Sequence, residues 1–252
     1  MNNNMLFNTV LRSIGFTVFP TGGRVSTAMQ PGPTPQRGHR YGGWNHMVNL
    51  VDIEGQRYLV DVGMGSTGPC RPVPLLGATA GHVGTNVAPQ TLRLQRRAIP
   101  DCTDARQRLW CYDVRHREGR EWLPAYCFAE TEFLPEDFRA MNHFTSTSRT
   151  SFFTWAVVCI KFLVAAPGRD LGPDAITQAG QEALLNRVPD VQIAGDLTLN
   201  GDHVSSRVHG ETHVVARFTT EAERVEALEK WFGIRLSDSQ RGGIAGTVVE
   251  LR

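Results

Sequence analysis

His46 and Asp61 are the side chains whose types and spacing point to chemistry. One is an imidazole that takes up and returns protons near neutral pH, the other a carboxylate able to orient it. Both lie in residues 42–65, GGWNHMVNLVDIEGQRYLVDVGMG, which reads as a β-hairpin: apolar and β-branched runs flank Glu54-Gly55, and glycine pairs bound the whole. With Glu54 and Gly55 as a two-residue turn, Ile53 faces Gln56, Val48 faces Asp61 and His46 faces Gly63. Alternation then puts His46, Val48, Leu50, Leu59 and Asp61 on one face, with the histidine and aspartate as diagonal neighbours at about 7–8 Å. That is a base and the group that orients it, two members of a nucleophilic triad. A slip of one residue sends them to opposite faces. The competing reading of the pair alone is a strand-end histidine beside a solvated aspartate at the hairpin mouth.

The elements that must hold this pair start with residues 5–16, MLFNTVLRSIGF. Leu6, Val10, Leu11 and Ile14 fall at helical spacing, with Asn8, Arg12 and Ser13 on the other side, Asn2 to Asn4 as capping residues and Gly15 as the stop. After a turn at Thr21-Gly22-Gly23, residues 24–29 read as a short strand, and a Pro/Gly/Arg-rich loop at 30–43 leads into the hairpin. Residues 66–74 form another loop, and 75–88 hold too many glycines to be regular. Alternating runs at 91–98, 108–115 and 122–128 extend the hairpin into an antiparallel meander long enough to curl into a small barrel. Residues 133–144 read as a short helix opening on Pro135 and two acids, followed by a hydroxyl-rich connector. Beyond it come a strand at 155–164, a segment at 175–188 that fits helix or strand, and a hairpin turning at Asn200-Gly201. Residues 214–219 continue that sheet, which reads as mixed. A helix capped by Thr220 and Glu223 runs through Trp231, with Val225 and Leu228 inward, and a last strand occupies 242–251.

Composition narrows the class. The 252 residues are 41% hydrophobic and 20% charged with a net charge of +1, an ordinary globular balance. There is no basic run or basic-aromatic stripe to mark a nucleic-acid or membrane partner. Five cysteines without a CxxC pair give neither a disulfide framework nor a zinc site. No signal pattern opens the chain and no apolar run is long enough to span a bilayer, so the expectation is a cytoplasmic protein.

The fragment RYGGWNHMVNLVDIEGQRYLVDVGMG, the helix NNMLFNTVLRSIGF with the GGRV after it, ETEFLPEDFRAMNHFTSTSRTSFFT and the ending LEKWFGIRL…RGGIAG together resemble the arylamine N-acetyltransferases, in particular their fungal branch. The resemblance covers nearly the whole chain in consistent order. It implies an α+β fold with a cysteine-proteinase-like core: the last part of a helical bundle in 1–22, an antiparallel β-barrel in 23–130, a linking helix in 131–154 and an α/β lid in 155–252. It implies a Cys-His-Asp triad that takes an acetyl group from acetyl-CoA, a co-substrate with no cofactor permanently bound, and passes it to an arylamine or hydrazine. His46 matches the triad histidine and Asp61 the aspartate. Gly42 and Gly43 match positions that approach coenzyme A, Asn45 lies beside the acceptor position, and Phe144 and Thr150 match coenzyme contacts. The partners implied are small molecules, with no nucleic acid or membrane, and the oligomeric state stays open.

One departure matters. The family's nucleophile sits in an RGG-x-Cys-x-x-x-Asn pattern, and only its tail is matched, by Met1 to Asn4, so the cysteine falls immediately before residue 1. A helix start beside an imidazole lowers a thiol's pKa. The expectation is therefore a truncated chain with little or no activity as written. Three accounts remain open: a gene start placed too late, a decayed copy, or a catalytically dead remnant kept to bind acyl-CoA or a protein. Cys70 is a poor substitute nucleophile, in a loop without a helix dipole, and Cys111 and Cys159 sit among apolar neighbours. An unrelated transglutaminase-like or peptidase-like protein is the competing class; it has no need of coenzyme A.

Overall fold

A computed structural model describes residues 1–29, 38–77 and 81–251. Parts of the loops expected at 30–43 and 75–88 thus lie outside the described residues. The chain divides into two compact units, Met1–Thr154 and Trp155–Arg252.

The first unit opens with α1 (Asn2–Ser13) and continues into β1 (Thr17–Val25), β2 (His46–Ile53), β3 (Gln56–Val60), β4 (Val73–Pro74), β5 (His82–Thr85), β6 (Thr91–Arg97), β7 (Leu109–Arg115) and β8 (Leu123–Glu132), then α2 (Pro135–Thr147). The strands form one antiparallel sheet in the order β4-β3-β2-β1-β8-β7-β6-β5. It curls far enough that Val48, Leu59, Val73, Leu92, Leu94, Tyr112 and Tyr126 from six strands share one core. The strand expected at 24–29 starts earlier. β1 runs straight through Pro20, Gly22 and Gly23, and pairs with β2 on one side and β8 on the other. Those glycines are spacers within the sheet: a Cβ at Gly22 would overlap the Phe133 ring, and one at Gly23 would lie 3.3 Å from the Cys127 carbonyl oxygen. β1 crosses residue 22, and α1 packs on the sheet through Phe7 and Leu11 against Val18 of β1, Val51 of β2 and Val60 of β3.

α1 reverses the expected orientation. Asn4 and Asn8 are buried, while Leu6, Val10 and Ile14 are exposed, at 68%, 45% and 65%. α2 starts with Pro135 in its first turn, and the Asp137 carboxylate accepts the Leu134 N–H at 2.8 Å. Phe138 and Met141 on α2 cover Met47.

The second unit holds β9 (Val158–Ala165), α3 (Gln178–Arg187), β10 (Gln192–Asn200), β11 (His203–Val208), β12 (Glu211–Arg217), α4 (Glu221–Phe232) and α5 (Asp238–Gly242). The segment that fitted helix or strand is the helix α3, started by the Thr177 hydroxyl on the Gly180 N–H. The sheet, expected to be mixed, is wholly antiparallel in the order β12-β11-β10-β9. Asn200 pairs with His203, so the hairpin turns on Gly201-Asp202, one residue later than expected. α4 has the expected capping box and ends on Gly233 in the left-handed region. Its buried side chains are Arg224, Ala227, Trp231 and Phe232; the last three pack on Leu163, Leu197 and Leu199, while of the two residues expected inward Leu228 is only partly covered and Val225 is half-buried outside that core. No strand forms at 242–251. The buried Arg224 guanidinium donates to the Val249 carbonyl at 2.8 Å and pins that segment in turns. Among the described residues no helix is long and apolar enough to cross a membrane.

Candidate functional site

The site is built on the turn between β2 and β3. Glu54 and Gly55 both have positive φ, 50° and 79°, as a two-residue hairpin bend needs. Ile53 therefore pairs with Gln56, Leu50 with Leu59 and Asn49 with Val60, the register counted from the sequence. His46 and Asp61 emerge on the same face, with His46 Nε2 2.7 Å from Asp61 Oδ2. Their side chains are 7% and 0% exposed.

A buried carboxylate must be satisfied or it will protonate. Asp61 Oδ1 accepts the Asn4 side-chain amide at 2.7 Å and the Gly63 backbone N–H at 2.7 Å, while Oδ2 faces the imidazole. Burial pushes the Asp61 carboxyl up, but the His46 charge, its hydrogen bond and the donors from Asn4 and Gly63 outweigh that and hold it below the usual range. Asp61 is therefore ionised at neutral pH. A carboxylate only accepts, so Nε2 holds a proton whether the ring is charged or neutral, and in the neutral ring Nδ1 is the nitrogen with the lone pair. Nδ1 makes no hydrogen bond to the described residues, which leaves it as the basic nitrogen. Gly63 has to be glycine here, because a Cβ would sit 2.7 Å from the Asn4 amide nitrogen.

Asn4, which the sequence suggested as a capping residue, is instead the hinge of this arrangement. Its amide also donates to the Met47 carbonyl at 2.5 Å, and its oxygen accepts the Val62 N–H at 2.8 Å. The signal available in the sequence was the closing Asn of the RGG-x-Cys-x-x-x-Asn pattern, which falls on Asn4, with a second asparagine, Asn8, one turn further along α1. Two aromatic rings floor the site: Tyr126 lies 5.1 Å from the His46 ring, and Tyr112 stacks on Tyr126 at 4.9 Å. Both phenols are pushed well up, first by burial and then by the nearby Asp61 charge.

The other residues singled out by the sequence lie elsewhere in this unit. Gly42 donates its N–H to the Val25 carbonyl at 3.0 Å, and Gly43 faces open space where a Cβ would meet nothing within 4 Å. The Asn45 side chain is engaged with β1, its oxygen accepting the Val25 N–H at 3.0 Å. Phe144 is exposed on α2, and Thr150 hydrogen-bonds the Ser148 hydroxyl at 2.9 Å in the turn beyond it. Cys70 sits in the loop before β4, its N–H bound to Asn86 at 2.9 Å. Cys111 is buried and its thiol pushed up to about 11 by desolvation. A second histidine–aspartate contact, His203 with Asp202 at 2.7 Å, joins sequence neighbours at an exposed turn and lacks any enclosing shell. Among the described residues no group of three or more His, Cys, Asp or Glu side chains gathers as a metal ion would need.

The comparisons agree in direction. A family model described as N-acetyltransferase matches residues 1–168. The N-malonyltransferase FDB2 of Fusarium pseudograminearum is 39% identical over 254 residues, covering 97% of this chain and 67% of the relative. The arylamine N-acetyltransferase of Mycobacterium abscessus superposes with a TM-score of 0.66 at 20% identity, over 94% of this chain and 67% of that one. That of Mycobacterium marinum, in complex with CoA, does so at 0.64 and 24%, over 95% and 70%. At those identities the structures speak for the fold alone. The chain spans about two thirds of the length of the curated relatives it matches.

Proposed function

Because the chain belongs to the arylamine N-acetyltransferase family, we propose that His46 and Asp61 are the base and the orienting carboxylate of an acyl-transfer relay from coenzyme A to the nitrogen of an aromatic amine or hydrazine. The observation that carries this reading is the buried 2.7 Å contact that engages Nε2 and leaves Nδ1 basic. In the relay, Nδ1 takes the proton of a cysteine thiol, and the thiolate attacks the thioester carbonyl of the acyl-CoA. Coenzyme A leaves as its thiol with the proton that the imidazolium returns. The amine then attacks the acyl-enzyme, gives its proton to Nδ1, and the protein's sulfur departs. In the family's pattern that thiol stands four residues before the asparagine matched by Asn4, a place at a helix start where the dipole favours the thiolate.

The backbone at Gly42 and Gly43 together with Phe144 and Thr150 is the proposed coenzyme contact, and Asn45 borders the acceptor. Resemblance alone names acetyl-CoA as donor; the 39% identity to an N-malonyltransferase favours malonyl-CoA. A cytoplasmic setting suits either donor.

The test measures release of free coenzyme A from acetyl-CoA and malonyl-CoA in the presence of an aromatic amine. A chain that carries the preceding cysteine is expected to turn over, faster with malonyl-CoA, and Asp61→Asn is expected to lower kcat by about four orders of magnitude by favouring the wrong tautomer. Residues 1–252 by themselves are expected to bind acyl-CoA with little turnover. Turnover by this chain with the acyl group found on Cys70 by mass spectrometry would overturn the assignment of the nucleophile, and failure to bind acyl-CoA would overturn the substrate class.

A further inference from the structure

The bonds that hold Asp61 continue beyond Asn4 to two asparagines with no part in the relay. Asn8 Nδ2 donates to Asn49 Oδ1 at 2.8 Å, and Asn49 Nδ2 donates to the backbone carbonyl of Asn4 at 2.9 Å. One side chain on β2 thus grips α1 at two successive turns. Taken as whole residues, Asn4, Asn8, Asn49, Asp61 and His46 are all at most 5% exposed, so the series runs buried from the second turn of α1 to the imidazole.

We propose that Asn8 and Asn49 are positioning residues for the His46–Asp61 pair. They hold α1 at the rotation and axial register that keep the Asn4 amide on Asp61 and the helix start beside His46. Apolar packing does not define that register by itself. The half-buried Phe7 and Leu11 rest on Val18, Val51 and Val60, and greasy contacts of this kind tolerate small slides and rotations. Buried amides do not, because a turn of the helix that unpairs them strands polar groups away from water. This is the use of a buried asparagine that fixes helix register at some cost in stability. The proposal takes its biological meaning from the acyl-transfer reading, but the geometry it explains stands whatever the chain transfers.

The experiment compares Asn8→Leu, Asn49→Leu and the double variant with the parent chain, with Asn4→Ala as the reference for a lost amide. Two quantities are read: the melting temperature, and the titration of the Asp61 carboxyl by 13C NMR, with 15N shifts of the His46 ring reporting which nitrogen holds the proton. Both single variants are expected to melt lower and to move the Asp61 titration to higher pH by most of the shift seen in Asn4→Ala. The double variant, which replaces one matched pair by another, is expected to recover melting temperature while keeping the shifted carboxyl. That separation of stability from titration is what a merely structural role would not give. Should a single variant fail to fold, the double variant carries the test. If Asp61 titrates in the double variant as it does in the parent, the proposal is wrong. Neither readout involves turnover, so an inactive parent leaves the test intact, and an active parent with an unmoved carboxyl would keep the function and lose this proposal.

Discussion

Two helices of similar length, α1 in the first unit and α4 in the second, meet their sheets in opposite ways. α4 turns Ala227, Trp231 and Phe232 inward, carries a capping box at its start and a left-handed glycine at its end. α1 turns Asn4 and Asn8 inward, leaves Leu6, Val10 and Ile14 in solvent, and has no side-chain cap at its start. The first arrangement is what burial of apolar area favours. The second gives up part of that gain to place an amide on a buried carboxylate. The contrast separates a helix held by its apolar face from one held by its buried amides.

Trp231→Ala should show the largest effect, a loss of about 3–5 kcal/mol in denaturant unfolding, because it empties the core beneath α4. Asn4→Ala should cost about 1–3 kcal/mol by leaving polar groups unpaired, with a much greater consequence for the tautomer of His46 than for folding. A result in which Asn4→Ala costs more than Trp231→Ala would reverse the comparison. Acid should expose the same difference. A carboxyl depressed in the folded protein contributes stability that is complete above its unfolded pKa, about 4, and is lost as the pH falls through the lower folded value. Melting temperatures of the parent should therefore drop below about pH 4, and Asp61→Asn should remove a large part of that slope. Thr220→Ala should cost about 1 kcal/mol, a cap for which α1 has no counterpart. The smallest effect belongs to Leu6→Ser with Ile14→Ser, within about 0.5 kcal/mol. That variant should nonetheless raise solubility, because it removes exposed apolar surface.

Much of the site was legible because a hairpin turns sequence distance into a side of the sheet. Glu54-Gly55 set the register, and the register put His46 and Asp61 together. The extent of α4 was legible from its caps, but not its inward face: Arg224 and Ala227 are buried, and Val225 and Leu228, expected there, are only half-buried. α1 was not, since periodicity names the apolar stripe but assumes it faces inward, and nothing local says that Asn4 will find a carboxylate on β3's far end. β1 was hidden because Pro20, Gly22 and Gly23 look like a turn; only the Phe133 ring and the neighbouring strands show why small residues belong in that strand. The end of the chain reads as β-branched and apolar, yet a buried guanidinium from α4 holds it in turns.

The bend at Glu54-Gly55 also dictates which length changes the protein can absorb. An added residue within the bend itself merely lengthens an exposed loop. The same addition in either arm, 46–53 or 56–61, turns the imidazole or the carboxylate outward, because neighbours in a strand point opposite ways. Insertions and deletions in this hairpin should thus be confined to its tip, however permissive the arms look to substitution.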